Sequence, residues 1–81
     1  MIRKVIDYVK EDNFEIRIDQ DSICIINYLS IAYMEEEKIS VKYLGGSLLI
    51  KGKRLSVIKL LEQEMLIRGE FTSIEFRRGH E

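Results

Sequence analysis

Few residues in this 81-residue sequence are of a type that does chemistry. Histidine occurs once, at His80, and cysteine once, at Cys24. A structural zinc site takes about four nitrogen or sulfur ligands, more than one His and one Cys supply. A nucleophilic thiol needs an electropositive, partly exposed niche and a base; Cys24 lies between Ile23 and Ile25, which predicts a buried structural thiol instead. The acidic run Glu35-Glu36-Glu37 lacks the alternating ligand spacing of a calcium loop and reads as a solvated loop. Gly45-Gly46 precedes a strand-like run, not a helix, so it has no phosphate-cradling context. We therefore assign no catalytic, cofactor or metal residue, and the expectation is a protein that is not an enzyme.

Binding is the remaining chemistry. Lys51, Lys53, Arg54, Arg68, Arg77 and Arg78 form a broken basic series, while the formal net charge is −1. Nucleic-acid grip asks for a stronger positive field with aromatic rings on the same face. The series reads first as a solvated strand edge, where cations discourage unwanted pairing. Within it Lys51, Lys53, Arg54 and Arg68 are the candidate interaction surface.

These residues must be positioned by elements that the periodicity reveals. Ile2, Val5, Ile6 and Val9 make one apolar stripe at helical spacing, predicting a short amphipathic helix over 2–10. The period then changes to two. Phe14, Ile16 and Ile18 alternate with charged residues, predicting a half-exposed strand. The run 22–34 is apolar on both faces, with Ile23, Ile25, Leu29 and Ile31 on one and Cys24, Ile26 and Tyr28 on the other; Asn27, which tolerates positive φ, marks a bend. Ile39, Val41 and Tyr43 alternate again, and Gly45-Gly46 signals a two-residue hairpin. Residues 55–64 fit either a strand or a helix. Residues 65–78 read as the last extended run.

One phrase occurs twice: LIKG at 49–52 and LIRG at 66–69, each followed by a second extended segment. A glycine inside a strand marks a bulge, a sharp corner or a close backbone approach. The repeat predicts two strands that bend at Gly52 and Gly69 and continue in another layer. If the copies lie side by side, Lys51 and Arg68 come close together. The expected fold is mainly β: a small two-layer roll or sandwich of six to eight short strands, with Gly45, Gly46, Gly52 and Gly69 at hairpin and bends and the N-terminal helix as a cover. Composition agrees, since 46% hydrophobic residues suffice for one core and for one domain over 1–81, with 79–81 as a frayed tail.

Residues 23–77 resemble the YabP/YqfC family of sporulation proteins, through ICIINYLSIAYMEEEKISVK, LLIKGKRLSVIKL and EMLIRGEFTSIEF in that order. The resemblance implies a non-enzymatic protein of endospore-forming bacteria, associated with endospore formation and spore-coat assembly. It implies action through protein contacts beside a membrane-embedded companion, without catalytic residues or cofactors. The lone cysteine and the lack of an apolar leader in 1–13 predict an intracellular setting. The resemblance refines this to the mother-cell cytoplasm, at the periphery of the forespore membrane. Open sheet edges add homo-oligomerisation as an expectation. The alternative is a small RNA-binding β-barrel of the Sm type, because LIRGEFTSI is similar to its second motif; Arg68 and Gly69 would then contact RNA.

Overall fold

The computed structural model describes residues 13–78, and all of their regular structure is β. The strands are β1 (Glu15–Ile18), β2 (Ser22–Ile26), β3 (Ser30–Met34), β4 (Lys38–Tyr43), β5 (Gly46–Leu60) and β6 (Glu64–Arg78). They form one antiparallel sheet in the order β1-β2-β6-β5-β4-β3. The mainly β expectation holds, and 55–60 is strand. The helix expected over 2–10 and the tail 79–81 lie outside the described residues.

β-branched residues at alternate positions explain most of this. Ile23 and Ile25 of β2, Ile39 and Val41 of β4, Leu48 and Ile50 of β5, and Met65 and Ile67 of β6 are all fully buried in one cluster. No ladder joins β2 to β4, so the sheet curls until both strands face the same core. The Phe14 ring, at the start of the β1 end, stacks on Tyr43 of β4 with centroids 4.0 Å apart.

The sheet contains an internal twofold relationship between β5 and β6. β2 runs along β6 with Ser22 opposite Arg68, Ile23 opposite Ile67 and Ile25 opposite Met65. β4 runs along β5 in the same register, with Lys38 opposite Lys51, Ile39 opposite Ile50 and Val41 opposite Leu48. Both short ladders end at the repeated glycine: Gly69 N–H donates to the Asp21 carbonyl (3.3 Å) and Gly52 N–H to the Glu37 carbonyl (3.1 Å). Across the central hairpin Lys51 faces Ser73 as Arg68 faces Ser56, and Ile50 faces Ile74 as Ile67 faces Val57. The axis passes at the pair Lys53 and Glu70. The eight fully buried side chains are thus four equivalent pairs, and the repeated phrase is the trace of two similar halves.

Three expectations need correction. The run 22–34 bends at Asn27 as expected, with φ of 67°, but the bend also reverses the alternation. Tyr28 is buried and Leu29 is exposed, because one left-handed residue sets the next side chain on the opposite face. The hairpin loop is Leu44–Gly45, not Gly45-Gly46; Gly45 takes the positive φ of 107°, and Gly46 opens β5 opposite Tyr43. Lys51 and Arg68 are not neighbours. The two copies lie side by side but antiparallel, so Lys51 meets Ser73 and Arg68 meets Ser56.

Candidate interaction surface

Around the twofold the two long strands are bulged. Their register shifts at Lys51/Gly52, Lys53/Ser56 and Val57/Lys59. Arg54 takes a φ of 55°, which swings Leu55 inward, where it is 5% exposed. Leu55 packs between the two repeated glycines. A Cβ on Gly69, whose own φ is 149°, would lie 2.9 Å from Leu55 Cδ2 and 2.8 Å from the Arg54 carbonyl oxygen. A Cβ on Gly52 would lie 3.0 Å from the same Leu55 Cδ2 and would collide with the Glu70 carbonyl oxygen. Glycine at both sites is what lets β5 and β6 close on Leu55. The acidic run contributes too, since the Glu36 carbonyl accepts from Leu55 N–H at 2.8 Å. That backbone role of an apparently solvated loop had no signal in the sequence.

The four candidate surface residues do not converge. Lys51 lies 3.8 Å from Glu75, and Arg54 donates to Glu70 at 3.2 Å. Lys53 sits opposite Glu70. Arg68 occupies a row with Ser22 and Ser56, in which no aromatic ring stands beside it. They are spread along both sides of the hairpin, as exposed cations each facing a carboxylate or a hydroxyl. Such exposed pairs contribute about 0–1 kcal/mol each and are screened by salt.

Cys24 is half-buried, not buried. Ile23 and Ile25 take the core side of β2, and Cys24 alternates to the other face. Its thiol donates to Glu64 Oε2 at 3.7 Å, and Lys59 Nζ lies 3.7 Å from the same oxygen. Burial, followed by the Glu64 charge, pushes the thiol pKa up. This holds Cys24 as the neutral thiol, the opposite of an activated nucleophile. Among the described residues no group of three or more His, Cys, Asp or Glu is placed to hold a metal ion, and no helix is long and apolar enough to cross a membrane. His80 lies outside the described residues.

The polar groups that are buried have structural partners. Asn27 N–H donates to the Gln63 carbonyl at 2.7 Å and Tyr28 Oη–H to the Leu61 carbonyl at 2.8 Å, tying the β2–β3 crossing to the β5–β6 loop. What the surface offers is therefore backbone and shape. β2 pairs with β6 only as far as Arg68, and β4 pairs with β5 only as far as Lys51. Past Gly69 on β6, and past Leu55 on β5, whose N–H is taken by the Glu36 carbonyl, a stretch of long strand has no ladder partner on one side among the described residues.

The sequence profile of the YabP family matches residues 10–81. The chain belongs to the YabP family. The match extends beyond the 23–77 on which the resemblance rests, and it takes in β1 and all of β6. The YabP-like phrases in the chain span β2 to β6, the twofold-related strands β2, β4, β5 and β6 together with β3. No curated protein and no solved structure shows significant similarity to it.

Proposed function

We propose that this YabP-family chain is a non-enzymatic sporulation protein that serves endospore formation and spore-coat assembly through protein–protein contacts. The observation that carries the reading is the family match across 10–81. The architecture is compatible with it. The curled sheet acts as a two-layer roll whose glycine-bent strands present open edges beside Gly52 and Gly69, and an added strand is a common mode of protein recognition. Lys51, Lys53, Arg54 and Arg68 flank those edges and steer the partner. The chain works in the mother-cell cytoplasm, beside a membrane-embedded sporulation protein at the forespore membrane.

The test is deletion of the gene followed by counts of heat-resistant spores and inspection of the coat. The expected outcome is a fall in heat-resistant spores or a defective coat, restored by the wild-type gene. Normal counts with an intact coat would remove the reading.

A further inference from the structure

The two open stretches of the central hairpin are equivalent under the twofold, but they are not alike. On β5 the stretch beyond Gly52 is interrupted by register shifts between Lys53 and Ser56 and between Val57 and Lys59. Bulges of this kind twist an edge away from an incoming strand. On β6 the stretch from Ser73 to Arg78 runs without a break, opposite Lys51 to Gly46. Its other side has no ladder partner among the described residues. β6 carries a single shift past Gly69, between Phe71 and Ser73, and is regular beyond it.

That regular edge is its own complement. Phe76 is 60% exposed and is flanked by Glu75 and Arg77. When the segment is laid antiparallel against itself and centred on Phe76, each Glu75 meets the other copy's Arg77. The two Phe76 rings then meet each other. Opposite charges and paired aromatics at facing positions are what stabilise an antiparallel ladder. Within one copy Glu75 is held only loosely, 3.8 Å from Lys51 and 3.6 Å from Arg77. A carboxylate has lone pairs for a further donor.

We propose that Ile74–Arg78 pairs with the same stretch of a second copy, antiparallel and centred on Phe76, so that the two sheets become continuous through their β6 edges. The contact is isologous and closes as a dimer. Its small area places it among weak associations, with a dissociation constant in the range of about 10 μM to 1 mM.

The experiment is analytical ultracentrifugation of the purified full chain across that concentration range. The mass is expected to rise from 9.6 kDa toward twice that value. Glu75→Arg and Arg77→Glu, made singly, place like charges across the axis and should each weaken the dimer at least about tenfold. The double variant Glu75→Arg/Arg77→Glu restores opposite charges and should return to within about threefold of wild type. Phe76→Lys should give a monomer with unchanged amide-spectrum dispersion. A wild-type chain that stays monomeric overturns the proposal. So does a single reversal that dimerises normally, a folded double variant that remains monomeric, or a larger assembly insensitive to all four variants. The dimer does not depend on the sporulation reading. It is measured on the isolated chain, so a monomer would leave that reading standing, and normal sporulation in the deletion strain would leave the dimer standing.

Discussion

Phe14 lies flat on Tyr43, with ring planes 10° apart and centroids at 4.0 Å, although the sheet order separates β1 from β4 by three strands. The stack joins the two sides of the curled sheet where no backbone ladder does. Both residues are half-buried against the core. Phe14→Ala removes the stack and the apolar area beneath it and is expected to cost about 1–3 kcal/mol. For a chain of this size that is a fall in Tm of roughly 4–8 °C per kcal/mol, read by calorimetry. An unchanged Tm would show that the curl is held without the stack.

The glycines give the largest expected effects. Gly52→Ala drives a methyl into the Glu70 carbonyl, and Gly69→Ala combines a strained φ with contacts to Arg54 and Leu55. Each is expected to cost more than about 2 kcal/mol. Gly45→Ala, with the positive φ but open space around it, should cost only about 1 kcal/mol. Urea midpoints measured in parallel check the order. A Gly52→Ala midpoint equal to wild type would contradict the close approach.

Stability should fall in alkali. Burial raises the pKa of Tyr28, and burial together with Glu64 raises that of Cys24. The unfolded chain releases these protons at the ordinary values of about 8.5 for Cys and 10 for Tyr. Above pH 8.5 the folded state therefore holds more protons than the unfolded one, and stability declines as pH rises. The contribution is complete below that pH. Cys24→Ala should flatten the first part of the decline, seen as closer urea midpoints at pH 7.5 and 9.5. A wild-type midpoint that rises over this interval would reverse the sign argued here.

Much of the fold was legible where side chains alternate cleanly. Phe14 to Ile18 and Lys38 to Tyr43 announce strands, Asn27 announces its bend, and Gly52 and Gly69 announce interruptions. Phase and pairing were harder to read. One left-handed residue at Asn27 exchanges the roles of Tyr28 and Leu29, and hydropathy treats the two alike. The same bend sends the chain from the β6 side of the sheet to the β4 side, which depends on long-range pairing and not on local propensity. Lys51 and Arg68 share a phrase but not a neighbourhood, because a repeat in sequence does not state whether its copies run parallel or antiparallel. Of the candidate surface, the glycines and the strand edges beside them were visible, and which stretch of edge stays regular and unpaired was not. Phe76 between Glu75 and Arg77 looks like any half-buried strand until the missing neighbour is seen.

The ladder between β2 and β6 also sets an order of events. Ser22 and Arg68, its end pair, stand 46 positions apart, whereas the hairpins β1–β2, β4–β5 and β5–β6 each close over a short loop. On the ribosome the first hairpin emerges well before its other neighbour exists. Ile23 and Ile25 then face water until β6 has been made, and the last closure carries the entropy of a long loop. A nascent chain stalled before Met65 would hold two of its most deeply buried isoleucines in the open, which makes this interval its moment of greatest exposure to misassembly.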